Sequence, residues 1–338
     1  MKRNLLKRVL APVLCIIMVA CLSACGSKSN SIRSSKEPVP ASKAFGAEGV
    51  WYEGIPSDKT NSVKSILYFN GSGQVTRYQT SSYEIGSYLS FADLDKKNNE
   101  EIITLAKERD KALFEQGKSE VVDAFQEEIN DLNKEKDQLQ SEYDSQNYDL
   151  ASDYVFNSQS DIPKWYEKRI RIHKLGIDFY NLLIEKVNAI EYKEPKPVDF
   201  TLSAKSDNTG NSISKEQIDF DRNFYFRFIS IGSAYSFHTD SSPDPFRDIS
   251  SVDQLVENYK AEYKEAHNNN REFDWDAIAY SKPDLPQAFV VLEPDDGPQN
   301  IYDMVFRGYT TLTTMVDQNH AGFTLDQIDA KGVEIDKK

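Results

Sequence analysis

From Gly49 onward the apolar positions of this 338-residue chain keep two different periods, first two residues and then about 3.5. Between Gly49 and Phe91 they come in short β-rich runs: Gly49-Val50-Trp51-Tyr52, then Ser65-Ile66-Leu67-Tyr68-Phe69, then Gln74-Val75-Thr76-Arg77-Tyr78. Asn70-Gly71-Ser72-Gly73 separates the last two runs. Residues that accept positive φ between two such runs predict a β-hairpin. A small antiparallel β segment is therefore expected over residues 47–94.

The period then changes. Val122, Phe125, Ile129, Leu132, Lys136, Leu139 and Tyr143 alternate spacings of three and four, which makes a heptad seam with charged residues between its members. Gly117 interrupts the pattern upstream, so 98–116 is expected as a separate or kinked helix. A second seam follows Asp161 and Pro163, good residues for a helix start: Tyr166, Ile170, His173, Ile177, Tyr180, Ile184 and Val187. Two matched seams on one chain predict an antiparallel helical hairpin, or coiled coil, over 95–192. Pairing with a second copy or another protein is the alternative. Glu194-Pro195-Lys196-Pro197 ends the helical stretch.

Beyond it, residues 198–338 read as a mixed α+β domain. Phe224–Ile229, Ala288–Leu292 and Tyr302–Thr314 have strand composition. Ser250–Ala266 carries Val252, Leu255, Val256, Tyr259 and Tyr263 on one helical face, with Ser251 and Gln254 placed for a capping box. No regular strand–helix alternation appears, so the fold class is α+β and not a doubly wound sheet.

The first 46 residues have neither period. Met1–Arg8 is basic, Val9–Leu22 is apolar, and Ser23 starts a polar tail, the layout of an export signal. The 14 residues from Val9 to Leu22 fall short of the roughly 20 that a membrane-spanning helix needs. Leu22-Ser23-Ala24-Cys25 ends the stretch and resembles the lipobox of bacterial lipoproteins. That resemblance implies cleavage before Cys25, a signal peptide over 1–24 and diacylglycerol on the Cys25 thiol. Met18-Val19-Ala20-Cys21 is a second, less regular box. Residues 25–46, rich in Ser, Lys and Pro, are expected as a flexible lipidated tether. The Gly49-x-Trp51 start with its hairpin also resembles small lipocalin-like β domains, over those residues alone, and no ligand is carried over from them.

Charge narrows the partners. The chain carries a formal net charge of −14. Residues 1–24 hold Lys2, Arg3, Lys7 and Arg8 and no acid, so the part after the signal is more negative by four charges. Such a surface repels phosphate backbones, and no nucleic-acid partner is expected. The three cysteines, Cys15, Cys21 and Cys25, all precede residue 26, leaving no pair for a disulfide in the folded part.

The chemical motifs are weak. Ser206-Asp207-Asn208 and Ser212-Ile213-Ser214-Lys215 match two patterns of penicillin-binding enzymes, but in reversed order, nearly adjacent, and with no Lys-Thr-Gly after them. His173, His238, His267 and His320 show no zinc-ligand spacing, and His173 falls on the second seam. Asp240, Asp244, Asp248 and the turn Glu293-Pro294-Asp295-Asp296-Gly297 are acidic, without the regular alternation of a calcium loop. Asp219/Asp221 and Asp274/Asp276 are carboxylate pairs of the kind chance supplies among 54 acids. Trp51, Trp165 and Trp275 fit core packing before a ligand platform. No catalytic, cofactor or metal residue is assigned, and the site expected is the lipid attachment at Cys25. The chain reads as a membrane-anchored extracytoplasmic lipoprotein that binds an envelope partner, through its helical hairpin, or an unnamed ligand. The alternatives are an importer's substrate-binding lipoprotein and an envelope hydrolase with a carboxylate site.

Overall fold

The computed structural model describes residues 32–81, 89–153, 156, 158–220, 249–266, 275 and 288–336. Its contacts divide the chain into two compact units. Residues 1–113, 194–222 and 285–338 form one, and residues 114–193 and 223–284 the other.

The first unit opens with β1 (Val39–Pro40) and a short helix α1 (Ala41–Phe45), followed by β2 (Glu48–Glu53), β3 (Ser62–Val63), β4 (Ser65–Asn70), β5 (Gln74–Gln79) and β6 (Leu89–Ser90). Helix α2 (Asn99–Ser145) starts in this unit and α3 (Asp161–Ala189) belongs to the second. The chain returns with β7 (Val198–Ser206) and β8 (Ile213–Phe220). After α4 (Val252–Ala266), in the second unit, it returns again with β9 (Ala288–Leu292), β10 (Gln299–Ile301), β11 (Met304–Tyr309), β12 (Leu312–Val316), β13 (Phe323–Thr324) and β14 (Val333–Asp336). The main sheet runs β10-β11-β12-β2-β4-β5-β7-β8-β9, each neighbour antiparallel, and β14 adds in parallel to β7 beyond its short pairing with β5.

The two ends of that order meet. Leaving β9, the chain pairs Pro294 with Tyr309 of β11, and the Thr310 and Asp295 N–H groups donate to Glu293 O and Gly308 O. Residues 288–301 thus act as one bent strand, bonded to β8 by its first half and to β11 by its second. The sheet closes into an eight-stranded up-and-down barrel, which removes both open edges.

Alternation sorts the side chains. Trp51, Leu67, Phe69, Val75, Leu202, Ile218, Val290, Leu292, Val305, Tyr309 and Leu312 face inward and form one buried cluster with Phe45 and Phe323. An eight-stranded barrel is narrow enough for side chains to fill it, and this interior is a packed core. Val50, Tyr52, Ile66, Tyr78 and Phe306 point outward. There Phe91, Leu94, Ile102 and Ala106, from a short turn and the first part of α2, cover them in a second cluster. Phe45, Trp51, Phe69, Tyr309 and Phe323 stack on one another with centroids 4.6–6.1 Å apart. Gly308 makes this possible: at φ +153° its position of closest approach leaves a Cβ 2.5 Å from Leu312 O and 3.1 Å from the Trp51 ring.

In the second unit, Phe125, Ile129 and Leu132 of α2 meet Phe179, Tyr180, Leu183 and Val187 of α3, and Ile249, Leu255 and Val256 around α4 complete the core. A satellite cluster of Leu139, Ala151, Tyr166 and Ile170 closes the hairpin tip. From Phe114 on, α2 carries ten acids against three lysines, whereas α3 carries six Lys and Arg against four acids. Opposite excess charge on matched seams favours these two helices as mutual partners. Lys118 Nζ donates to Asn188 O and Ile190 O, putting a cation on the free carbonyls that end α3.

The α+β class and the helical hairpin stand, with four corrections. The flexible tether expected over 25–46 does not include 32–46, which are folded with Ile32, Val39, Ala44 and Phe45 buried, and residues 25–31 lie outside the described residues. Its polar composition hid two strand residues and an apolar turn of helix. The β segment of 47–94 and the C-terminal part of 198–338 are not separate bodies, because their strands complete one barrel through pairings that no local period encodes. Gly117 does not break the helix, since α2 runs through it and its flanks bury Phe114 and Val121. Tyr302–Thr314 is a hairpin, not one strand: Thr310 and Thr311 turn the chain between β11 and β12. Within the seams, Val122, Ile177 and Ile184 are half-buried flanks, and the burial passes to Val121, Gly176 and Leu183 beside them. The expected strand Phe224–Ile229 lies outside the described residues.

Candidate functional site

The first described residues are clamped to the last part of the barrel. His320 Nε2 donates to Ile32 O (2.9 Å), and its Nδ1 accepts the Gly322 N–H (2.9 Å). Both ring nitrogens are used by the neutral tautomer, and burial holds this imidazole below its ordinary range. Arg33 Nε donates to Met315 O, Asp317 N to Arg33 O, Ala321 N to Ser35 O and Val39 N to Gly322 O. β1 then pairs in parallel with β13, Val39 beside Phe323.

Next to this clamp lies a buried carboxyl pair. Glu216 on β8 sits opposite Ala204 of β7 and Leu292 of β9, in the inward phase set by Ile218 and Phe220. It is 0% exposed and Asp326 is 6% exposed. Glu216 Oε2 accepts the Asp326 N–H at 2.9 Å, while Oε1 has no hydrogen-bond partner. Asp326 Oδ2 accepts the Ser42 N–H (2.7 Å) and Oδ1 the Ser42 hydroxyl (2.6 Å). Burial pushes the Glu216 carboxyl up to about 8, and the Asp326 carboxyl adds to the rise, against the pull of the Asp326 N–H. Glu216 therefore stays protonated at neutral pH. Tyr309, whose OH donates to Thr324 O (3.2 Å), has its phenol pushed up by burial and then by the negative charges of Glu216, Asp326 and Asp295.

The inward charge of Asp295 is matched. Arg307 grips it by two nitrogens, Nη2 to Oδ1 at 2.8 Å and Nε to Oδ2 at 3.1 Å, and the Gly308 N–H adds a third contact at 2.6 Å. Gly322, at φ +100°, leaves room for that guanidinium, since a Cβ there would lie 2.3 Å from Arg307 Nη2.

The sequence-marked residues fall elsewhere. Cys25, with the whole signal segment, lies outside the described residues, as do His238, His267, Asp221, Asp240, Asp244, Asp248, Asp274 and Asp276. The Ser-Asp-Asn and Ser-x-x-Lys patterns form the β7–β8 turn. There Asp207 Oδ1 accepts from Thr209 N, Thr209 Oγ1 and Asn211 N, and the Ser214 hydroxyl donates to Lys205 O and Ser206 O. The Thr209 hydroxyl, with the backbone donors, lowers the Asp207 carboxyl from its ordinary range. His173 is buried between α3 and α2, its Nδ1 bonded to Arg169 O (2.8 Å) and its Nε2 to Glu135 Oε2 (2.9 Å). Asp219 accepts from Ser203 Oγ and Gln217 Nε2. The acidic turn at 293–297 spends Asp295 on Arg307. Trp51 serves the barrel core, Trp165 lies under the Arg169 guanidinium, and Trp275 packs on the helical core. Among the described residues no three His, Cys, Asp or Glu side chains converge as a metal site.

Glu216 and Asp326 went unmarked. The signal was the phase of β8, which places a carboxyl two residues before Ile218 on the inward face. Reading it requires knowing that 213–220 is a strand and that its inner face meets residue 326. No protein-family model, no curated protein and no solved structure matches the chain.

Proposed function

We propose that this protein is a lipid-anchored extracytoplasmic bacterial lipoprotein, cleaved before Cys25, with a non-catalytic barrel as its body and the helical unit as its contact for an envelope partner. The observation that carries the reading is the order basic segment, apolar stretch, Leu22-Ser23-Ala24-Cys25, followed seven residues later by Ile32, the first described residue, which is bonded to His320. Seven peptide steps span at most about 25 Å, so a lipid on Cys25 keeps the barrel near the bilayer surface. Two acyl chains, at roughly 0.8 kcal/mol per buried methylene, hold far more firmly than one. No helix among the described residues is long and apolar enough to cross a membrane. The acidic face of α2 suits a cationic partner surface, and the same charge argues against nucleic acid.

Mass spectrometry of the protein isolated from cells tests the anchor. The expected N-terminus is Cys25 bearing diacylglyceryl mass, absent from Cys25→Ser. A chain intact through residue 24, or one starting elsewhere without acyl mass, overturns it. The hydrolase alternative has one observation in its favour, the Glu216–Asp326 pair, but both carboxyls are sealed in the barrel core away from any substrate. The importer alternative calls for lobes of repeated strand–helix units, and an antiparallel barrel with a helical unit lends it no support.

A further inference from the structure

We propose that Glu216 and Asp326 form a one-proton latch that holds a plug, β1–α1 together with β13 and the residues after it, in the barrel and releases it as the surroundings turn alkaline. The inference stands on the folded barrel alone and is independent of the lipid anchor.

Donors and acceptors show why one proton is needed. Asp326 receives two donors from Ser42 and so is well suited to carry charge. Glu216 receives one, from the Asp326 backbone, and its second oxygen has none. A fully buried carboxylate in that state lacks compensation, whereas the protonated acid has a hydroxyl to donate to the Asp326 carboxylate. Among the described residues, those paired with or packed on Glu216 offer no cation in exchange. β7 presents Ala204 and β9 presents Leu292. β11 presents Tyr309, a neutral phenol, and the Arg307 guanidinium on that strand is held by Asp295. α1 presents Ser42, and Asp326 itself comes from the segment after β13.

The same bonds make the pair a latch. Asp326 is bonded on one side to β8 through Glu216 and on the other to the start of α1 through Ser42. α1 carries Phe45 and β13 carries Phe323, both packed on Trp51. When Glu216 ionises, two negative carboxyls are in contact inside an apolar barrel. Loosening Asp326 relieves the repulsion, and it frees both plug segments together.

The direction with pH follows from proton counting. The unfolded chain releases the Glu216 proton near the ordinary 4.5, while the folded chain keeps it to about 8. Within that window the folded state holds one extra proton, so the folding equilibrium constant falls about tenfold per pH unit and levels off above it. His320 acts in the opposite sense. Its lowered folded value costs stability as the pH falls through its ordinary 6.5, and it is unchanged in the variants below.

The test compares the full chain after Cys25 with Glu216→Gln, which keeps the shape and places an amide N–H where the proton sits. Thermal unfolding is followed from pH 5 to 9, with hydrogen exchange of peptides covering 39–46 and 321–327 corrected for intrinsic pH dependence. The wild-type midpoint is expected to fall with pH above about 6.5, where His320 no longer opposes Glu216, and exchange in those two segments to rise more than about tenfold over the rest of the barrel between pH 6 and 9. Glu216→Gln abolishes both trends above about pH 6.5. Parallel profiles for the two proteins, a flat wild-type profile, or a rise spread evenly over the barrel overturns the latch. Should Glu216→Gln not fold, Asp326→Asn removes the like charge but not the burial, and is expected to narrow the pH range over which the midpoint falls; an unchanged profile there also overturns it.

Discussion

The two units hide their polar groups in opposite ways. The helical unit keeps charge on its outside: its buried seam is apolar apart from His173, and many of its side-chain bonds join residues three or four apart, such as Gln126 to Asn130 and Lys136 to Asn133. The barrel takes ionisable groups inside. Glu216, Asp326, the Arg307–Asp295 pair and the Arg77–Glu53 pair are all buried or nearly so. Its bonds reach across the chain: Ile32 to His320 spans 288 positions and Ser42 to Asp326 spans 284. A removed partner inside the barrel strands a desolvated group, whereas an exposed pair on the helices contributes about 1 kcal/mol or less. Aromatic packing sets what the barrel tolerates. Each fully buried ring contributes roughly 1.5–3 kcal/mol, so five stacked rings outweigh the roughly 1–3 kcal/mol cost of one neutral carboxyl.

That contrast orders the expected effects of substitution. Gly308→Ala forces a Cβ against Leu312 O and Trp51 at a backbone angle that L residues avoid, and is expected to cost roughly 4 kcal/mol from overpacking and strain together. Denaturant titration reads it; a loss under 1 kcal/mol would mean that the barrel yields where it is drawn as tight. Leu183→Ala leaves a void in the helical core and is expected to cost about 3 kcal/mol, with the loss seen in helical circular dichroism. A near-neutral result there would show that the seam repacks, as α2 and α3 already do where burial shifts from Ile184 to Leu183. Ser251→Ala is the smallest, about 1 kcal/mol, since Ser251 Oγ accepts the Gln254 N–H at 3.3 Å at the start of α4. Measured equal to Leu183→Ala, it would place the weight of the unit on its cap and not on its core.

How far each unit was legible follows from the range of its contacts. The seams of α2 and α3 were readable because a helix repeats its partner-facing side every three or four residues, so Phe125, Ile129 and Leu132 announce themselves. The capping pattern before α4 was equally local, although Gln254 Oε1 accepts the Ser250 N–H rather than that of Ser251. The hairpin at residues 70–74 was readable too. Its mechanism is divided: Gly71 and Gly73 take positive φ, while Asn70 Oδ1 accepts the Ser72 and Gln74 N–H groups. The barrel was not readable as a barrel. Two helical insertions separate its strands, β7 pairs with β5 through Val198 and Asp199, and the closing contact of Pro294 with Tyr309 lies in a turn that reads as acidic and solvated.

By itself the sequence determined the helical seams and the strands around the hairpin at residues 70–74, because each is written within a few consecutive residues. Only the tertiary structure decided that β strands from three separate stretches close on one another, that Ile32–Phe45 is a plug and not a tether, and that Glu216 meets Asp326. Those are meetings between residues tens to hundreds of positions apart. Burial then gives the meeting its chemistry: a carboxyl that would be an ordinary acid in water becomes, inside the barrel, a holder of one proton.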